Sequence, residues 1–388
     1  MYNKLDMMRS YTLRGCAVGN GSDRMKIGIL TFPNTTSYGA VLQMYALYRA
    51  VEQLGGEPEI INYLNEYMKT QKHTSAMQCG GLKRRLKLWA KNTMHARQTR
   101  GFRSFEKALS KFPEKPISQP HQLADLKDRY DGVICGSDQV WNPDITGTDM
   151  SYFLDFCGKS TKRIAYAPSY GISDFTEAFH NTVKPHLLQF DALSAREKPG
   201  RDFTEALSGK SVPLVLDPTF LLQQKDWESL EEKHPAAGQE YILYYTVRSS
   251  KTLLNFCLTE AAKQNLPVVY IGGNAIKQLK NRNKQIRYAY DITPGQFLHL
   301  VHNAKCVVTN SFHGTAFSIH YKKDFFLELS SLTNSRLEQI IEITGTQDRV
   351  IGPNCASMDP AVDYDLVYRL LEPERISSTA YLKEAITP

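Results

Sequence analysis

The chain has 388 residues, enough for two or three domains, and 42% of them are hydrophobic and 22% charged, so a sizeable core can be buried. A net charge of +7 is too modest to argue for nucleic acid and suits an anionic substrate or an acidic membrane surface. The seven cysteines (Cys16, Cys79, Cys135, Cys157, Cys257, Cys306 and Cys355) are widely spaced and form no CxxC pair. That argues against a disulfide framework and a zinc site and points to a reducing, cytoplasmic compartment. No run of about 18 apolar residues suggests a membrane span. Met1 to Arg24 lacks the continuous apolar region of a signal peptide and reads as a disordered tail, with Met25 as an alternative start.

In chain order, 26–31 (KIGILT) predicts a buried strand. Gly39 to Leu54 predicts a helix whose apolar surface is formed by Val41, Leu42, Tyr45, Ala46, Tyr48 and Leu54. Gly55-Gly56 stops it, and Glu59 to Asn62 resumes as strand, completing a βαβ unit. Residues 64–81 show no clear period. The stretch from Leu82 to Lys107 predicts a basic helix carrying Lys83, Arg84, Arg85, Lys87, Lys91, Arg97, Arg100, Arg103 and Lys107, with Glu106 its only acid and Trp89 among the positives. Such a run is either a solvated helix face or a surface for acidic lipid headgroups or a lipid diphosphate, which would allow peripheral contact with the inner face of a membrane.

Further strands are expected at Gly132–Cys135, Arg163–Ala167, Leu193–Ala195 and Leu214–Leu216. The second half repeats the theme. Strands are expected at Tyr241–Val247, Pro267–Ile271, Lys305–Thr309 and Phe325–Leu329, alternating with helices at Lys251–Asn265, Pro294–Asn303, Gly314–Tyr321 and Ser335–Thr344. This alternation implies an α/β chain with parallel sheets in two Rossmann-like domains, 25–216 and 217–388. The junction falls at Asp217-Pro218, because proline disfavours helix at its neighbour. The stretch from Asp359 onward is expected to be a helix returning to the first domain. In such sheets ligands sit beyond the carboxyl ends of the strands, so the loops there are where chemistry is sought.

Four such segments stand out. In 32–40 (FPNTTSYGA), Ser37, Tyr38 and Gly39 open a helix whose free N–H groups could meet an anion, or simply form a capped entry turn. In 131–143, a strand runs into Gly136, Ser137, Asp138 and Gln139. Gly136 would permit close approach of a ligand, the next three could bind hydroxyls, and Trp141 could stack on a sugar face; a turn beside a buried tryptophan is the alternative. Arg196, in 193–197 (LSARE), could grip a carboxylate or phosphate, or form a surface pair with Glu197. In 305–317, a hydrophobic strand ends in Asn310, Ser311, Phe312, His313 and Gly314 and continues as helix. That places His313, the side-chain type whose proton moves near neutral pH, at a strand–helix turn; a satisfied structural histidine is the competing reading.

Taken in order, six segments resemble the polysaccharide pyruvyl transferase family: 37–43 (SYGAVLQ), 136–142 (GSDQVWN), 163–171 (RIAYAPSYG), 194–197 (SARE), 215–222 (VLDPTFLL) and 310–314 (NSFHG). The resemblance spans roughly Met25 to Arg349. It implies a fold similar to GT-B glycosyltransferases, with the two domains facing across a cleft. It implies transfer of pyruvyl from phosphoenolpyruvate onto two hydroxyls of a sugar in a surface polysaccharide such as a capsule or exopolysaccharide, or in its lipid-linked precursor. No metal and no cofactor beyond the donor substrate would be needed. The family's expected acid/base histidine falls on His313, and its donor-holding arginine on Arg196. Many members carry a second arginine two residues before the histidine, where this chain has Ser311. Arg336, in 333–337 (TNSRL), is expected to substitute for it, with Ser311 and Gly314 completing the donor side. The loops with Ser37, Tyr38, Gly39, Gly136, Ser137, Asp138, Gln139, Trp141 and Asn310 would line donor or acceptor. A GT-B glycosyltransferase using a nucleotide sugar and a non-catalytic homologue are the competing expectations.

Overall fold

The computed structural model describes residues 24–68, 96, 98–108, 112–113, 115–147, 149–272, 285–329, 335–352 and 361–388. Most of the basic stretch, including Lys83, Arg84, Arg85, Lys87, Trp89, Lys91 and Arg97, lies outside the described residues.

The first half alternates β1 (Lys26–Leu30), α1 (Tyr38–Gln53), β2 (Glu57–Ile60), β3 (Gly132–Cys135), β4 (Lys162–Ala165), α2 (Glu177–Leu187) and α3 (Lys198–Ser208). The second half continues with β5 (Ile242–Thr246), α4 (Lys251–Lys263), β6 (Val268–Gly272), β7 (Ile286–Tyr288), α5 (Pro294–His302), β8 (Cys306–Thr309), α6 (Phe312–His320), β9 (Asp324–Leu327), α7 (Ser335–Thr344) and α8 (Tyr364–Ala385). All pairings are parallel. The strand orders are β2-β1-β3-β4 and β7-β6-β5-β8-β9. The second is the 3-2-1-4-5 order of a Rossmann sheet, so the chain is α/β with two Rossmann-like domains. The short runs Val133–Cys135 and Cys306–Thr309 are fully buried, as central parallel strands must be when helices cover both faces.

Two expected strands are not formed. Leu193–Ala195 and Leu214–Leu216 meet only through isolated bridges, Ile164 with Ala192 and Ala195 with Leu214. Polar or charged residues break both runs: Ser194 turns its hydroxyl onto Ala165 O, and Arg196 and Asp217 are drawn toward the cleft.

α1 is buried almost all round. Met44, Leu47, Tyr48 and Val51 pack on the first sheet, whereas Tyr38, Val41, Leu42 and Ala46 belong to the core of the second half. Tyr38 stacks on Phe297 of α5, with ring centroids 4.8 Å apart at 8°. A helix apolar on every side must be covered on every side, and this one takes one cover from each domain. The helical residues 98–108 add Phe102 to the same core. α8 makes a second crossing. Val367 and Leu371 pack with the second half, Leu382 and Ala385 with the first sheet, and Tyr381 donates its hydroxyl to Ala165 O at 2.9 Å.

His320, at the end of α6, lies against Phe220 and Trp227, with centroids 5.0 and 5.9 Å away. Burial pushes its pKa down to about 4, against weaker opposing effects of the Thr219 backbone and Asp217. The unfolded chain carries an ordinary histidine near 6.5. Only the unfolded state therefore takes a proton between these values, so stability falls as pH drops from 6.5 toward 4 and levels off below. His320→Phe should flatten that slope in denaturant titrations; an unchanged slope would mean His320 is not the group responsible. Phe297→Ala, by removing the surface that Tyr38 stacks on, should cost about 3–5 kcal/mol in the same measurement.

Candidate active site

In an open α/β sheet the crevice forms where the chain reverses direction across the sheet, between β1 and β3 in the first domain and between β5 and β8 in the second. The two crevices face one another. A cleft of about 190 Å³ lies between them, lined by Ser37 and Gly39 after β1, Asp138 and Gln139 after β3, Tyr245 near the end of β5 with Val247 and Arg248 after it, and Asn310 to His313 after β8. Arg336 and Leu337, on the first turn of α7, close it.

Ser311 is the N-cap of α6, and its hydroxyl accepts from Gly314 N–H. This fixes Phe312 and His313 on the first turn, at the positive end of the helix. The His313 ring lies against α1: a Cβ on Gly39 would stand 2.0 Å from His313 Nδ1. Gly39 is therefore required by a close approach across the domain boundary. His313 Nε2 points the other way, 3.7 Å from Asp217 Oδ2.

Arg196 is buried behind this pair, 3% exposed, so the surface pair with Glu197 is not what forms. Its NH1 lies 3.0 Å from Asp217 Oδ2 and 3.8 Å from Asp138 Oδ1, and the guanidinium sits 4.0 Å over the Phe312 ring. The charges are paired, but none of the three guanidinium nitrogens has a hydrogen-bond partner. Arg336 approaches the same place from α7 and donates to Asp138 Oδ1 at 3.3 Å. Burial and then the Arg196 charge press its pKa below the ordinary arginine value. Burial alone would push the Asp217 carboxyl up; Arg196 first, then His313 and Thr219, outweigh it and hold Asp217 well below the usual carboxylate range. Burial pushes the neighbouring Glu197 carboxyl up, against the Ser169 hydroxyl it accepts at 2.6 Å and the two arginines.

Asp138 owes its position to a buried relay. Gln43, fully buried in α1, donates to Thr31 Oγ1 at 2.8 Å and accepts from Ser137 N–H at 3.2 Å, while the Thr31 hydroxyl donates to Ser137 O. Asp138 follows in left-handed backbone at φ 70°, which aspartate tolerates better than most residues.

The structure thus brings His313, Arg336, Ser311, Asp138, Gln139, Gly39, Ser37 and Asn310 to one cleft, with Arg196 buried behind its wall. Asn310 acts there as a brace: its Oδ1 accepts from Val247 N–H, and its Nδ2 donates to Arg248 O. Five expected contacts are corrected. Trp141 is 1% exposed, stacked on Phe153 at 5.0 Å with its N–H on Tyr152 O, so it cannot meet a sugar. Tyr38 is buried against Phe297. Ser137 is buried with its hydroxyl on Ala167 O. Gly136 is glycine because a Cβ would stand 2.2 Å from Tyr166 O, and Gly314 because one would stand 2.3 Å from Thr309 Oγ1. Sequence reasoning missed Asp217, Gln43 and Arg248. Gln43 and Asp217 lay in the resembling motifs, and a lone amide in an apolar helix was the available signal for Gln43.

Two Rossmann-like domains facing one another across a histidine-bearing cleft are an arrangement of the GT-B kind. The sequence model of the family "Polysaccharide pyruvyl transferase" matches residues 38–327, well over half of the chain, and the chain belongs to that family. No curated protein sequence matches it. Among solved structures, it is similar to a Methanocaldococcus jannaschii UDP-GlcNAc 2-epimerase (11% identity, 90% of this chain and 92% of that one, TM-score 0.48). It is also similar to the Escherichia coli heptosyltransferase WaaC with ADP-2-deoxy-2-fluoro heptose (12%, 90% and 99%, TM-score 0.40). A third is Arabidopsis thaliana UGT89C1 (11%, 93% and 94%, TM-score 0.45). No helix among the described residues is long and apolar enough to cross a membrane.

The Gly39–His313 contact makes a prediction of its own. Alanine is a better helix former than glycine by about 1 kcal/mol. Gly39→Ala should nevertheless lower stability by about 1–3 kcal/mol, because the ring or α1 must move. A variant as stable as the parent in denaturant unfolding would show that the contact is loose.

Proposed function

We propose that this chain transfers the pyruvyl group of phosphoenolpyruvate onto two hydroxyls of one sugar, forming a cyclic ketal and releasing phosphate. The observation that carries this reading is the buried Arg196, whose three nitrogens lack hydrogen-bond partners while a second guanidinium, Arg336, presses on it. Two like charges held together in a buried wall are relieved by a compact anion, and phosphoenolpyruvate offers a carboxylate and a phosphate. Arg336 takes the part that an arginine at Ser311 would take, which leaves Ser311 to cap α6.

His313 is the acid/base group. As imidazolium it gives a proton to the donor's methylene carbon, which becomes a methyl group. The resulting oxocarbenium-like centre is stabilised by the surrounding carboxylates, and a sugar hydroxyl adds to it, returning its proton to the imidazole. A second hydroxyl of the same sugar then displaces phosphate, and its proton leaves with the phosphate. Asp138 and Gln139, across the cleft, suit the acceptor's hydroxyls. The acceptor is a sugar of a surface polysaccharide or its lipid-linked precursor. The basic stretch 82–107 suits a membrane-borne acceptor, with the protein acting at the inner face.

The test is phosphate release from phosphoenolpyruvate with galactose-, mannose- and glucose-terminated acceptors, with mass spectrometry of each. A mass gain of pyruvate less water is expected on one of them. His313→Ala should lower kcat by about 10²–10⁴-fold in a folded protein. Arg336→Met should raise KM for phosphoenolpyruvate by about tenfold or more. No mass gain, together with thermal stabilisation by nucleotide sugars and not by phosphoenolpyruvate, would favour a glycosyltransferase instead.

A further inference from the structure

Asp217 stands between the two groups that pyruvyl transfer would use, yet its own role is not given by that reaction. Its Oδ1 is occupied: it accepts from Thr219 N–H at 3.0 Å and from the Thr219 hydroxyl at 2.7 Å, capping the short turn Pro218–Leu221. Its Oδ2 is not. That atom is buried, 3.0 Å from Arg196 NH1 and 3.7 Å from His313 Nε2, and completes a hydrogen bond with neither. His313 Nε2 is likewise buried without a hydrogen-bond partner. The oxygen is ion-paired with Arg196, the nearer of the two, and His313 stands just beyond hydrogen-bond distance. A small rotation of the imidazole or of the carboxylate completes one bond at the other's expense.

An anion arriving at Arg196 competes with Asp217 for the same guanidinium. As that hold weakens, His313 is the remaining neighbour. A carboxylate accepting from Nε2–H fixes the tautomer and leaves Nδ1, on the Gly39 side, as the nitrogen that exchanges a proton with substrate. The same carboxylate compensates the imidazolium whenever Nδ1 carries a proton.

We propose that Asp217 is a positioning residue shared by the donor clamp and the acid/base: it holds Arg196 before the donor arrives, and passes to His313 when the donor's anion takes Arg196. The imidazole is then oriented for proton transfer only with donor bound. The proposal rests on the pyruvyl-transfer reading. No covalent bond of the protein changes. Nε2 keeps its proton throughout, and Nδ1 gives one proton to the methylene carbon and takes one back from the hydroxyl.

Asp217→Asn is the test, because asparagine keeps an oxygen for the Thr219 cap and removes the charge facing Arg196 and His313. Calorimetry without acceptor should show phosphoenolpyruvate binding about tenfold more tightly, since Arg196 no longer has a competitor. Turnover should fall about a hundredfold, since His313 loses its orienting group. Thr219→Val removes the hydroxyl bond to Oδ1 and leaves the backbone N–H bond and the carboxylate; it should lower stability and change neither quantity. A merely structural Asp217 would give no such opposition of tighter binding and slower turnover. Unchanged or weaker donor binding by Asp217→Asn overturns this role alone, provided that the parent binds phosphoenolpyruvate. A parent that does not bind it overturns the donor reading and this proposal with it. Should Asp217→Asn fail to fold, ¹⁵N spectra of His313 in the parent decide. Adding phosphoenolpyruvate should fix the Nε2–H tautomer, and ring shifts that do not respond would overturn the proposal.

Discussion

The site depends on one constraint: α1 is covered from both sides. One flank packs on the first sheet and the other enters the core of the second half through Tyr38, Val41 and Leu42. A shared helix removes the freedom that two domains joined by a linker would ordinarily keep, and an apolar interface of this kind sets their relative position firmly. The consequence reaches the chemistry directly. The first turn of α1 carries Gly39, whose missing side chain is the space filled by His313. The same helix carries Gln43, which holds Ser137 and so aims Asp138 at Arg336. One element therefore seats His313 from one domain and the acidic wall of the arginine pair from the other.

The polar cluster under the cleft is costly to bury. Arg196, Arg336, Asp138, Asp217, Glu197 and His313 are brought out of water together, and several of their atoms have no hydrogen-bond partner. Buried charges so arranged add little to stability, and replacing them by apolar residues often stabilises a fold. Such an arrangement makes physical sense where the missing partners are supplied by a ligand. The apolar shell of Phe312 and Phe220 keeps the local dielectric low, which strengthens each remaining charge interaction.

Much of this was legible in the sequence. The alternation of short apolar runs with helical periods gave eight of the nine strands among the described residues within a few residues of their true bounds, because buried parallel strands are nearly continuous in apolar residues. His313 and Arg196 were legible as candidates from their places at loop ends and from the family's motifs, and Arg336 as a substitute for the arginine that Ser311 replaces. Less legible was which side of a loop each residue faces. Trp141, Ser137 and Gly136 sit in the right loop, but they turn into the core, because an aromatic beside a tight turn gains more from Phe153 and Tyr152 than from solvent. Asp217 was read as a domain junction because Pro218 follows it. That its second oxygen reaches two residues far away in sequence is a tertiary fact that no local pattern carries.

In the proposed reaction the Arg196–Arg336 pair holds the donor with its reactive carbon facing His313. A crystal of the protein soaked in phosphoenolpyruvate tests it most directly. The carboxylate and phosphate are expected within hydrogen-bond distance of Arg196 and Arg336, with the methylene carbon turned toward the His313 ring. Phosphoenolpyruvate bound elsewhere, or bound there with its methylene turned away from His313, would contradict it.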